Sequence, residues 1–191
     1  MPGAAPKRSL TSLWLIIAAA AAPMAAAYVL YQFLPPSARV NRGELLEPRP
    51  LPDAGLQLLD GSAFKLARLK GKWVLAMIDT ARCDEPCRRK LHHLRQVRLA
   101  QGRNMDRIER LWLIADRGEP EPVLAAGFEG TWFVQAASSP VPAAFPAANA
   151  PSDHIYIIDP LGNLIMRYPP NADPRDVVKD MERLLRASRI G

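Results

Sequence analysis

The sequence predicts an α/β sandwich, a central β-sheet flanked by helices, preceded by one N-terminal transmembrane helix. Three observations carry that prediction. An uncharged apolar run occupies residues 13–34; short β-type apolar runs alternate with helix-type segments from residue 54 onward; and the only two cysteines, Cys83 and Cys87, fall between a strand apolar on both faces and the helix after it. A chain of 191 residues, 49% of them hydrophobic, has room for one ordinary domain of about 100–150 residues and an appendage.

The appendage comes first. Lys7 and Arg8 precede a stretch with no charged residue until Arg39. Its apolar core, residues 13–34, has about the 20 residues needed to cross a bilayer, and closes on Tyr28, Tyr31 and Phe33 at interface depth. Pro23 can kink such a span without breaking it. Basic residues ahead of the run keep residues 1–12 in the cytoplasm and put everything after Leu34 on the far side of the membrane. The rival reading is a cleaved signal peptide, since the Ala-rich stretch offers small-x-small sites, but the run is longer than an h-region of about 7–15 residues. Residues 35–53 contain five prolines and no sustained apolar period, and read as an extended Pro-rich tether. The net charge of +6 is mixed in sign and falls once Lys7 and Arg8 are set aside, which argues against nucleic acid as a partner. An acidic protein or anionic lipid headgroups fit it better.

The folded domain is expected over residues 54–191. Short strands near 56–59 and 63–66 flank an Asp60-Gly61 turn, and residues 73–78, apolar almost throughout, form a strand buried on both faces. From Cys87 to about Gly102 the pattern turns helical, with Leu91, Leu94, Val97 and Leu99 recurring amid Arg and Lys. Residues 108–114 are a second central strand, 119–126 a short helix opened by Pro120 and stopped by Gly127, and 131–135 a further short strand. The Ala/Pro/Ser passage 136–153 reads as an irregular surface loop. Strands at 155–158 and 163–168 are joined through Asp159-Pro160-Leu161-Gly162, a hairpin signal. The last helix has Asp173 as N-cap, Pro174 in its first position, and an apolar stripe of Val177, Val178, Met181, Leu184 and Leu185. The order β-β-β-α-β-α-β-β-α, with a thiol pair after a buried strand, is that of a thioredoxin-like sandwich.

The chemistry centres on the cysteines. A helix N-terminus favours the thiolate, the form that attacks disulfides and binds metals. Beyond a membrane the pair can also close as one intramolecular disulfide. A loop so short is stabilised little by closure, so a purely structural bridge explains little. Asp84, Glu85, Arg88 and Arg89 make polar surroundings for the thiols, with Cys83 the more exposed. His154 reads either as a hydrogen-bonded histidine at a strand start or as an imidazole completing a Cys2His set, which suits zinc or copper, the thiolates favouring Cu(I). His92 and His93 read as exposed or half-packed. Arg88, Arg89, Lys90, Arg95 and Arg98 are either a solvated face or a docking face for an acidic partner. No phosphate loop, nucleophile elbow or zinc-protease helix is present in the sequence.

"CDEPC" after a strand, followed by "SDHIYIIDPLGNLIMRYP", resembles the Sco/SenC family of membrane-anchored, thioredoxin-like copper proteins over roughly residues 54–189. The family pattern is Cys-x-x-x-Cys, then Asp-His just before a strand and an Asp-Pro-x-Gly hairpin. The resemblance implies Cys83 and Cys87 as paired thiol ligands, His154 as third copper ligand and Asp153 as a neighbouring acid. It also implies a single-pass protein of the inner (cell) membrane with its domain on the periplasmic side, acting in assembly of a respiratory cytochrome c oxidase. Its partners would be the oxidase subunit carrying a dinuclear copper site and an upstream copper donor or thiol reductant. Copper transfer would run by ligand exchange, and reduction of the acceptor's cysteines through a mixed disulfide, with Cys83 attacking first. A metallochaperone is favoured over an enzyme; the alternatives are a membrane-tethered thiol-disulfide oxidoreductase without metal, or a non-catalytic assembly scaffold.

Overall fold

A computed structural model of the chain describes residues 10–33, 41–188 and 190. The chain divides into two compact units, Met1–Val40 and Asn41–Gly191. In the first, α1 (Leu10–Phe33) is a 24-residue helix with Pro23 inside it and no charged residue in its first or last turn. Its window Leu10–Leu30 has a mean hydropathy of 2.1 and none of it is buried, so its apolar side chains have no protein core to enter. A helix apolar on every side is long enough to cross a membrane and poorly suited to water. It starts three residues before the expected span 13–34. The expected cytoplasmic segment below residue 10, Leu34 and the side chains of Tyr31 and Phe33 lie outside the described residues.

In the second unit, eight strands form one sheet among the described residues: β1 (Glu44–Pro50), β2 (Leu56–Leu58), β3 (Ala63–Phe64), β4 (Trp73–Asp79), β5 (Ile108–Ile114), β6 (Thr131–Gln135), β7 (Ile155–Ile158) and β8 (Asn163–Tyr168), in the order β1-β8-β7-β4-β5-β6-β2-β3. β4, β5 and β6 run parallel, and β7 returns antiparallel to β4. β4 is the central strand: Trp73, Leu75 and Met77 enter one core while Val74, Ala76 and Ile78 enter the other. The long helices α2 (Glu85–Ala100) and α4 (Pro174–Ala187), with short α3 (Pro122–Gly127), supply the first core.

Among the described residues of this unit, no long helix contributes to the opposite face. It is closed by Leu69 from a short 3-10 turn and by Val141 and Phe145 from the Ala/Pro passage. Phe145 meets the Tyr156 ring edge-on at 4.8 Å, and the Tyr156 hydroxyl donates to the Pro146 carbonyl. The passage 136–153 is irregular, as expected, but it is a lid on the sheet rather than a loop on the surface. Two apolar anchors among many alanines and prolines suffice for that, and they carry no periodicity that marks a packed segment.

The tether reading is corrected. Residues 44–50 are not a spacer: β1 pairs antiparallel with β8, Glu44 opposite Arg167 and Pro50 opposite Asn163, across a register shift between Leu45 and Arg49. An edge strand needs donors on one side only, so Pro48 and Pro50 are tolerated there, and a bulge absorbs the mismatch. The domain therefore starts at Asn41, not at residue 54. Its first residues are held by Asp180 of α4, a carboxylate with no exposure that accepts from the backbone N–H groups of Arg42 and Gly43 at 2.7 and 2.9 Å and from the Tyr168 hydroxyl at 3.1 Å. Arg183 adds an ion pair at 3.2 Å. Gly43 fits because a Cβ there would stand 2.7 to 2.8 Å from Met166 and Tyr168 atoms.

Removing one acceptor shared by so many buried donors strands them. Asp180→Ala is expected to cost about 3 kcal/mol, and Gly43→Ala about 1–3 kcal/mol through overpacking, read as loss of unfolding free energy in urea titrations.

Candidate redox site at the start of the second helix

The site is built where β4 ends and the chain must become a helix. Asp79 closes the strand, and the Ala81 N–H donates to Asp116 Oδ1 at 2.8 Å, which ties the turn to the chain leaving β5. The Cys83 N–H then closes a turn on the Thr80 carbonyl at 3.1 Å. Cys83 itself has φ 43°, the one positive φ outside glycine among the described residues. A β-carbon in that region costs roughly 1–2 kcal/mol, a local strain that recurs at functional positions.

Asp84 follows as N-cap, its side chain accepting from the Cys87 N–H at 3.2 Å, and Pro86 sits in the first helical turn. The helix thus opens at Glu85, two residues before the position expected. Asp-Glu-Pro is a helix-start signal in its own right, an N-cap, an acid near the positive end of the dipole, and a proline where no N–H is needed.

Cys83 and Cys87 are joined as a disulfide, with their Cα atoms 5.0 Å apart. Both are buried, at 1% and 0% exposure, in the core that also holds Ala81, Leu91, Leu124 and Ile155. This corrects the expectation of polar surroundings and of an exposed Cys83. Helical geometry explains it: Cys87, Lys90, Leu91 and Leu94 share the inward face, while Glu85, Arg88, Arg89 and His92 face solvent.

The basic residues of α2 do not form one free face. Arg88 donates to the Cys83 carbonyl and meets Glu121 at 3.3 Å, Arg89 meets Glu85 at 3.5 Å, and Arg95 donates to the Gly127 carbonyl. Arg98 donates to the Ile108 carbonyl, and Lys90 is buried against Asp79. Lys90 and Arg98 are spent on the fold, while Arg88, Arg89 and Arg95 stay exposed in pairs and bonds at the surface. His92 is exposed and His93 half-buried; burial first, then His92 and Arg89, hold the His93 pKa below its ordinary value. Two shallow grooves flank the helix start. One is lined by Pro86, His93, Ser152 and Asn171, the other by Arg88, His92, Leu124 and Phe128.

His154 stands at the start of β7, 8% exposed, with Nδ1 2.8 Å from the Tyr168 carbonyl and its ring edge-on to Tyr156. The Tyr168 hydroxyl in turn donates to Asp180. Burial pushes the Tyr156 phenol up to about 12, and burial and then Asp180 raise that of Tyr168, so both stay protonated at neutral pH. The structure brings Cys83 and Cys87 together but gathers no third ligand: among the described residues no group of three or more His, Cys, Asp or Glu is arranged to hold a metal ion. Sulfurs bonded to each other offer no thiolate, so the oxidised pair does not fit copper. The residues that sequence reasoning did not connect with the cysteines are Asp79, which ends an apolar strand, and Tyr168, which contributes a backbone carbonyl.

Known structures share this architecture. Copper-bound Sco1 from yeast superposes with a TM-score of 0.62 at 17% identity, covering 75% of this chain and 96% of its own. Copper-bound ScoI from Bradyrhizobium japonicum gives 0.56 at 18% identity, covering 71% and 99%. The thioredoxin domain of a thiol-disulfide oxidoreductase from Bacteroides vulgatus gives 0.55 at 20% identity, covering 74% and 99%. At these identities the likeness carries the fold. No curated protein sequence matches the chain. The family model of the transmembrane-like, thioredoxin-like C-terminal domain matches residues 73–188, from the first residue of β4 to just past α4. With that match spanning the strand, the disulfide, His154 and the last helix of a Sco-like fold, the chain belongs to the family of transmembrane-like, thioredoxin-like C-terminal domains.

Proposed function

We propose that this is a membrane-anchored thiol-disulfide protein serving assembly of a respiratory terminal oxidase, in which Cys83 and Cys87 exchange with the cysteines of the oxidase's dinuclear copper site. The observation that carries the reading is the disulfide itself: a four-residue bridge at a helix N-terminus, begun by a cysteine held at positive φ. Closing so short a loop stabilises the fold little. The dipole of α2, by contrast, favours a thiolate on Cys87, and so favours breaking the bridge. A solved thiol-disulfide oxidoreductase domain shares the fold. Lys7 and Arg8 ahead of α1 orient the domain toward the periplasm.

As a reductant, the Cys83 thiolate attacks one sulfur of the acceptor's disulfide, and the other acceptor sulfur leaves and takes a proton. The Cys87 thiolate then attacks the Cys83 sulfur, which expels the second acceptor thiol and restores the bridge. Two electrons pass from the Cys83/Cys87 dithiol to the acceptor, and the dithiol's two protons end on the acceptor's thiols. Both sulfurs are buried, so each attack needs the short segment 80–84 to open.

A second reading is copper handling, with Cu(I) as cargo of the reduced pair. The observation favouring it is His154, whose Nδ1 is committed to the Tyr168 carbonyl. That bond fixes the tautomer and leaves Nε2 as the free lone pair, the usual arrangement of a metal-binding imidazole. Two solved proteins of the same fold hold copper.

Two measurements test these readings. The bridge is expected to have a reduction potential above about −300 mV; a lower value marks a structural disulfide and overturns the exchange reading. Reduced protein is expected to take up Cu(I) stoichiometrically, with binding lost on Cys83→Ser and on His154→Ala; unchanged uptake by His154→Ala removes the three-ligand site.

A further inference from the structure

Lys90 lies three residues past Cys87 on the inward face of α2, and Asp79 ends β4 four residues before Cys83. Their charges meet at 2.7 Å, with side chains only 10% and 14% exposed. The Lys90 ammonium also donates to the Ser152 carbonyl, in the turn that leads to His154. One buried ion pair therefore touches all three segments of the site: the end of β4, the first turns of α2 and the approach to β7. Stability alone does not account for it. Desolvating two charges offsets most of their attraction, and a well-packed apolar pair of similar volume holds such a place as firmly.

We propose that the Asp79–Lys90 pair sets the reduction potential of the Cys83–Cys87 bridge, the lysine favouring the dithiol and the aspartate the disulfide. The proposal rests on the exchange reading above. An external dithiol delivers two electrons to the S–S bond and leaves as a disulfide, and its two protons go to the two sulfurs or to solvent. Wherever a sulfur keeps negative charge instead of a proton, a fixed cation carried three residues on along the same buried helix face lowers the energy of the reduced form. A fixed anion raises it, and the low dielectric of the core strengthens both effects. Lys90 and Asp79 are thus positioning and charge-setting residues that need not touch the partner. A strap that served only to hold the segments together would respond to loss of either member in the same sense. A charge mechanism responds in opposite senses.

The full-length protein in detergent micelles would be equilibrated with dithiothreitol redox buffers, and the reduced fraction read by thiol alkylation. Asp79→Asn is expected to shift the equilibrium about tenfold toward the dithiol and Lys90→Gln about tenfold toward the disulfide, roughly 30 mV each way. The double variant, which restores the balance of charge, and Lys90→Arg, which keeps the cation, should both stay within about threefold of the parent. If Lys90→Gln does not fold, the contrast between Asp79→Asn and Lys90→Arg decides. Shifts of the same sign in both single variants, or an Asp79→Asn shift no larger than that of Lys90→Arg, overturn the proposal. A parent bridge that none of the buffers reduces overturns the exchange reading and this proposal with it.

Discussion

The site depends on one constraint: a strand buried on both faces has to leave the sheet and become a helix within six residues. β4 has no solvent-facing side on which to carry polar groups, so the change is made at its end. Asp79 is the first residue of the strand able to hold a charge partner, Asp116 catches the turn at Ala81, and Asp84 caps the helix. The disulfide joins the residue before the N-cap to the first turn of the helix, and Cys83 there has a left-handed backbone conformation. Chemistry and chain geometry are therefore the same problem here.

A second set of contacts runs from the beginning of the domain to its candidate imidazole. Asp180 gathers the backbone of Arg42 and Gly43 and the hydroxyl of Tyr168, and the carbonyl of the same tyrosine takes the Nδ1 proton of His154. Tyr168 thus serves the fold with its side chain and the site with its backbone. The orientation of His154 is inherited from β8, and β8 is in turn braced by β1, whose Glu44 grips Arg167. Strand, helix and histidine hold one another, although β1 lies more than a hundred positions before the other two in sequence.

How far the sequence could be read follows from where its signals lie. Trp73 to Ile78, Ile108 to Ile114 and the stripe of α4 announce themselves because burial writes a local period. The hairpin at Asp159–Gly162 does so through its turn residues. β1 was hidden because its prolines, acceptable only at an edge, look like a spacer until the partner strand is known. The core role of Val141 and Phe145 was hidden among alanines and prolines for the same reason: their partners are distant. At the site, the sequence shows the cysteines and the strand-helix junction, and Asp84, Glu85 and Pro86 carry the start signal of α2 two residues ahead of its apolar period. Their burial was not visible, since four charged neighbours on the outward face of a helix say nothing about what its inward face touches.

Recasting residues 44–50 as an edge strand also moves the boundary between linker and domain. With residues 44–50 inside a folded unit that begins at Asn41, thirteen residues that would have belonged to a tether ending at residue 53 belong to the domain instead. The strand that completes the sheet is thus made from residues that would otherwise have lengthened the linker, and β8, which carries the carbonyl that holds His154, gains a neighbour from the start of the domain.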